Sequence, residues 1–275
     1  FIEINTVIQD TDFKNRFIKA IFEHIQKKQI TNADFIRVMT QEQKQLLSDI
    51  YPSKKNAIQV IRHGTDPEVF KNRGKEHCRS VLNIPEDLFV FCFVGTFNSM
   101  TYINGLIYFL KGFKRFLNET TDKAHCLLIG NGKYKNILED FIVENNLSDK
   151  ITFTGSVPNK TVPDYISASD ICLQVWIPER KDIEGLSLKI SSYMACERRV
   201  LTSNINGLRE ILVPFDSLMW DIEDEVSMYN CLKKGYDEKD RWNKGVAERN
   251  YVLNSFTWEI AAKKIIETVL YKKSQ

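Results

Sequence analysis

The chain has 275 residues, 43% apolar and 27% charged, enough to bury a sizeable core in one large or two ordinary domains and too apolar for a disordered or fibrous chain. Its formal charge is +2, with 14 Lys and Arg against 10 Asp and Glu in residues 1–85 and 24 against 26 afterwards. A charge balance this even argues against a nucleic-acid partner. The small basic excess at the front suits either an anionic membrane surface or ordinary solvated helix faces.

In chain order, Phe1–Asn5 reads as a strand and residues 12–28 as a helix. Ala33–Met39 is a strand, Gln41–Ile50 a helix and Ala57–Ile61 a strand, an alternation that predicts parallel sheets with crossover helices. The rhythm breaks at Arg62-His63-Gly64-Thr65-Asp66-Pro67 and the polar run Lys71–Glu76, so residues 62–87 are expected to form a hinge. His63 there suits either the cleft or a structural turn. Beyond it come strand Leu88–Val94, helix Ile103–Leu117, strand Ala124–Ile129, helix Tyr134–Asn145 and strand Ile151–Thr154. A short helix over Thr161–Ala168 accommodates Pro163 in its first turn, and a strand over Ile171–Val175 is stopped by Pro178. A helix then starts at Ser187 and leads to strand Val200–Thr202.

The cysteines, at 78, 92, 126, 172, 196 and 231, have no Cys-x-x-Cys spacing and no zinc-finger histidines. Cys92, Cys126 and Cys172 fall inside apolar runs as small buried hydrophobes, which fits a reducing, cytoplasmic setting. No run reaches the ~20 apolar residues a bilayer span requires.

The chemistry concentrates in Asp182-Ile183-Glu184-Gly185-Leu186-Ser187-Leu188-Lys189, an acidic glycine loop running from a strand into a helix. A helix start offers free N–H groups and positive potential to an anion. Gly185, Leu186, Ser187 and Leu188 would contribute backbone N–H groups, and Ser187 also suits a helix cap. Lys189, in the first turn, either assists an anion or sits at the surface, since its charge opposes the helix dipole. Gly130-Asn131-Gly132 ends a strand before a helix, but the third glycine of a dinucleotide fingerprint would fall at Lys135, which disfavours a nicotinamide-dependent oxidoreductase.

Four stretches occur in one order: Phe93-Val94-Gly95, Ile151-Thr152-Phe153-Thr154-Gly155-Ser156-Val157, the Glu184-Gly185 loop with Ser192-Tyr193-Met194-Ala195-Cys196, and Phe256-Thr257-Trp258-Glu259. Together they resemble the donor-domain signature of the retaining GT-B glycosyltransferases of family 4, also called glycosyltransferase group 1. The resemblance implies an α/β fold of two Rossmann-like domains with parallel sheets, the first truncated at its N-terminus. Residues 1–61 would end the acceptor-side domain, 88–256 form the donor-binding domain and 257–275 supply a helix packing back on the first. Its stripe would be Ile260, Ala261, Ile265, Ile266, Val269 and Leu270.

The resemblance further implies that Glu184 faces the donor sugar, where a carboxylate stabilises oxocarbenium character. Ser156 and Val157 would meet the nucleobase, and Gly95, Thr96, Gly130 and Gly132 the nucleotide. Three positions depart from the pattern: the family's second Glu falls on Ser192, its Arg on Thr96 and its Lys on Asn104. Arg180 and Lys181 are alternative cations. Asp182 with Glu184 forms an Asp-x-Glu pattern that a metal-bound diphosphate would also use. The resemblance is to a metal-independent fold, so neither metal nor cofactor is expected. The expected function is transfer of a sugar, with retention, from a UDP- or GDP-linked donor to a saccharide or lipid-linked acceptor in polysaccharide synthesis, in the cytoplasm or peripherally at the inner membrane face. The departures also support a second reading, a non-catalytic GT-B subunit that binds a nucleotide or a partner protein.

Overall fold

Short runs of β-branched and aromatic residues separated by helices pair side by side in parallel, and in this chain they form two sheets. The computed structural model describes residues 1–4, 16–177 and 187–273. The first sheet has the order β1 (Ile2–Glu3), β2 (Ile36–Val38), β3 (Ile58–Val60), with Ile36 paired to Ile2 on one side and Ile58 on the other. Helices α1 (Arg16–Asn32) and α2 (Gln41–Ile50) accompany it, and Ile4, Ile30, Ile36, Val38, Leu47 and Ile58 share its core. Helix α2 starts where the sequence places it because Thr40 and Gln43 exchange capping-box hydrogen bonds.

The second sheet has six parallel strands: β4 (Phe89–Val94), β5 (Ala124–Ile129), β6 (Ile151–Gly155), β7 (Ile171–Gln174), β8 (Arg199–Ser203) and β9 (Leu218–Trp220). Their spatial order, β6-β5-β4-β7-β8-β9, is that of a doubly wound sheet whose winding reverses between β4 and β7. One face buries Phe91, Phe93, Leu128 and Leu173 against α4 (Met100–Glu119), α5 (Lys135–Glu144) and α9 (Glu225–Asp237). The other buries Val90, Cys92, Cys172 and Val200 under α6 (Val162–Ala168), α7 (Leu188–Ala195), α8 (Asn206–Leu212) and α10 (Arg241–Ser255). All six cysteines are buried free thiols, and burial pushes those of Cys126 and Cys172 far up.

Residues 62–87 are not a plain connector, since α3 (Lys75–Leu82) forms within them and packs on α6. Arg79 of α3 is fully buried and donates to Asp170 at 2.8 Å and to the Ala168 carbonyl at 2.9 Å. Gly64 lets two chain segments cross, because a Cβ there would lie 2.1 Å from Trp258 N. Thr65 N–H donates to the Phe256 carbonyl at 2.8 Å beside this crossing. Arg62 pairs with Glu210 of α8 at 2.5 Å, and the same carboxylate accepts from Gln41 N–H at the start of α2, tying the two sheets' helices together. From the crossing runs α11 (Trp258–Lys273), whose Ala261, Ile265 and Val269 pack with Phe35 and Ile61. The buried stripe is narrower than the sequence suggests: Ile266 and Leu270 are 56% and 59% exposed.

Candidate functional site

In an open parallel sheet, ligands settle outside the carboxyl ends of the strands where the winding reverses. That point lies between Val94 of β4 and Gln174 of β7. Gly95 follows β4 and donates its N–H to the Ile129 carbonyl at 2.9 Å, while Phe97 N–H donates to the Asn131 carbonyl at 3.1 Å. The ends of β4 and β5 are thereby laced together. Gly130 and Gly132 permit the lacing, because a Cβ on either would strike the backbone of Gly95 or Phe97. They build the floor, a role for which their strand-end position was the only signal.

Helix α7 approaches this floor with its N-terminus. Ser187 is its N-cap, and its hydroxyl accepts from Lys189 N–H at 3.4 Å while its carbonyl takes the Ile190 N–H. The first-turn N–H of Leu188 has no partner within the helix, the kind of donor that an anion at a helix start uses. Glu184, Gly185 and Leu186, with Arg180, Lys181 and Asp182, lie outside the described residues.

Lys189 is half-buried rather than extended into solvent. Its ammonium lies 3.7 Å from the centre of the Tyr102 ring and 4.8 Å from that of Phe93, a cation–π seat. Burial pulls its pKa below the ordinary lysine value, partly opposed by Tyr102. Tyr102 accepts a hydrogen bond from Gln174 at 3.3 Å and stacks on Trp176. The two departures from the family's cations also have places: Thr96 and Asn104 are exposed. The neighbouring Gly105 packs so closely on Val175 and Trp176 that a Cβ would lie 2.7 Å from the Val175 carbonyl.

Beside the floor opens a cleft of about 370 Å³ lined by Gly64, Thr65 and Asp66 of the crossing, Val94, Asn159, Leu188, Lys189, Ser192 and Trp258. Ser192 lines this cleft together with Leu188 and Lys189. Its hydroxyl is 3.3 Å from the Leu188 carbonyl and 3.4 Å from the Thr65 hydroxyl. Ser156 is exposed and Val157 packs on the apolar layer under β4, three residues or fewer before Asn159. His63 stacks edge-on against Trp258 and lies 3.3 Å from Arg37. Burial and Arg37 lower its pKa, against the pull of Glu3. Tyr102 and Asn159 were not singled out by the sequence, and Thr65 and Trp258 were read only as parts of a turn and of a helix start, because their approach to this cleft is made by tertiary contacts.

A doubly wound six-stranded sheet beside a second, smaller parallel sheet defines a chain of the GT-B fold. The chain belongs to the family of group 1 glycosyl transferases, whose model matches residues 89–234. It is 26% identical to an uncharacterized glycosyltransferase of Methanocaldococcus jannaschii over 217 residues, covering 76% of this chain and 50% of that protein. It is 22% identical to the D-inositol 3-phosphate glycosyltransferase of Stackebrandtia nassauensis over 243 residues, covering 86% of this chain and 54% of that one. Among solved structures, Anabaena HepE in complex with UDP-glucose superposes with a TM-score of 0.80 at 14% identity, covering 98% of this chain and 71% of HepE. The chain spans about half the length of the two relatives. Among the described residues, no helix is long and apolar enough to cross a membrane.

Proposed function

We propose that this chain transfers a sugar, with retention, from a UDP- or GDP-linked donor to a saccharide or lipid-linked acceptor. The observation that carries the reading is the meeting of the α7 N-terminus with the Gly95 floor at the winding reversal. A diphosphate bound there would take the Leu188 N–H, and the adjoining cleft under Thr65 and Trp258 would hold the nucleoside. The UDP-glucose complex of HepE, a protein of the same fold, supports a nucleotide sugar as donor. Segment 178–186, which carries Glu184, connects Ile177, held by the Thr101 carbonyl at 3.1 Å, to the α7 cap. Glu184 is assigned to the donor sugar, stabilising positive charge at the ring as the diphosphate departs.

Glu184→Gln should leave the melting temperature unchanged and cut turnover of the UDP- or GDP-sugar at least ~10-fold, about 1.4 kcal/mol of barrier. Unchanged turnover removes Glu184 from the mechanism. If the wild-type chain binds a nucleoside diphosphate but never turns over a nucleotide sugar, the non-catalytic subunit is the correct reading. Binding that requires magnesium and is abolished by EDTA would revive the Asp182 and Glu184 metal site.

A further inference from the structure

We propose that Lys189 supplies the cation that grips the donor's diphosphate, reaching it from beneath the crevice rather than from the loop after β4. The assignment rests on the nucleotide-sugar reading above. A Cβ added to Gly95 would lie 3.1 Å from the Lys189 ammonium, so the charge stands directly at the end of β4. Cleft residues Val94, Leu188 and Ser192 surround the same place.

The chain has gone to some physical cost to put it there. A lysine in the first turn opposes the helix dipole, and its ammonium has left water for the faces of Tyr102 and Phe93. Rings offset part of that desolvation but supply no counter-charge. The seat is fixed from behind by fully buried Gln174, whose amide nitrogen bonds the Tyr102 hydroxyl and whose Oε1 has no partner among the described residues. A cation held among rings at the winding reversal, without a carboxylate beside it among the described residues, is what a bound diphosphate would complete. Thr96 and Asn104 are neutral and offer no charge to a diphosphate.

The test is calorimetry with UDP, GDP, uridine and guanosine on the wild-type chain and on Lys189→Met, whose unbranched stem keeps the packing against Tyr102. Diphosphate affinity should fall at least about tenfold, as for loss of one charge-assisted hydrogen bond, while nucleoside affinity stays within about twofold. Equal losses for diphosphate and nucleoside, or no loss for either, overturn the assignment. The wild-type chain provides a second readout that needs no variant. Because burial lowers the lysine pKa, an arriving diphosphate should raise it and draw a proton from solution as the pH climbs toward ~10. Buffer-dependent binding heats should show this uptake for UDP in excess of uridine, the difference cancelling titration of the base. Diphosphate binding with no excess uptake anywhere between pH 8 and that limit counts against Lys189. If neither UDP nor GDP binds the wild-type chain, the assignment and the donor reading fall together; if they bind and Lys189→Met binds them equally, the assignment falls alone.

Discussion

Glu248→Ala is expected to destabilise the fold by about 3 kcal/mol, a loss of roughly 6–12 °C in melting temperature for a chain of this size. Arg199, at the start of β8, is 1% exposed and makes ion pairs with Glu238 at 2.9 Å and with the fully buried Glu248. Its third bond goes to the Asp216 carbonyl at 2.9 Å, and Lys244 adds a second cation on Glu238 at 2.7 Å. Removing Glu248 leaves two cations against one buried carboxylate, and the desolvation already suffered by Arg199 is no longer offset. Glu248→Gln should cost less, because an amide oxygen still accepts from the guanidinium. The double variant Arg199→Met with Glu248→Met should recover most of the loss, since a dry apolar pair carries no desolvation penalty. Burial alone would raise the Glu238 carboxyl, but hydrogen bonds from Arg199 and Lys244 hold it below its ordinary value. Its contribution is therefore present above the unfolded value of about 4.3 and is lost as the pH falls through the lower folded value. The network is at the amino end of β8, away from the crevice, so UDP affinity should not change in the folded fraction. Thermal and urea unfolding read the first effect and calorimetry the second; a Glu248→Ala chain as stable as wild type would show that the cluster is not energetically closed.

What the sequence displayed and what it hid follow from how burial is signalled. Strands β4, β5 and β7 were legible because Phe89–Val94, Ala124–Ile129 and Ile171–Gln174 are nearly continuous apolar runs, the mark of strands covered on both faces. Helix α3 was missed because its inward face is Cys78 and Arg79; a buried arginine satisfied by Asp170 and carbonyls gives no apolar period. Strand β9 and helices α8 to α10 lie between strand Val200–Thr202 and the terminal helix, a stretch in which no element was read, and β9 has only three residues, too short to show alternation. In the site, the Ser187 cap and the start of α7 were readable from a local rule. The seat of Lys189 was not, since Tyr102 and Phe93 precede it by 87 and 96 residues. Local reasoning left that lysine open between an anion contact and a surface role, because its charge opposes the helix dipole. The tertiary neighbours decide that this lysine turns inward, where a stem of four methylenes packs and the ring faces hold its head.

Gly130→Ala is expected to be the most damaging single change near the crevice, at about 4 kcal/mol or more, in the range that needs a named mechanism. Two mechanisms act at once. The residue has φ of +135°, a region that side chains rarely enter, which costs of order 1–3 kcal/mol. Its new Cβ would also lie 1.8 Å from the Gly95 carbonyl oxygen and 2.9 Å from the carbonyl carbon, so backbone must move. Neither side can yield cheaply: Gly130 N–H is held by the Gly155 carbonyl and Gly95 N–H by the Ile129 carbonyl, both at 2.9 Å, and β4 is clamped between β5 and β7. Gly155→Ala separates the two causes. It too has positive φ, at +71°, but no atom lies within 4 Å of the added Cβ, so it should lose only about 1–2 kcal/mol. In whatever fraction of the Gly130→Ala chain folds, the displaced Gly95 would carry the floor away from Lys189 and Leu188, and UDP affinity should fall with stability. Gly155→Ala should keep its UDP affinity. Equal unfolding free energies for the two variants would mean that the β4 and β5 loops are not locked together, and the rigid floor on which the site is built would have to be abandoned.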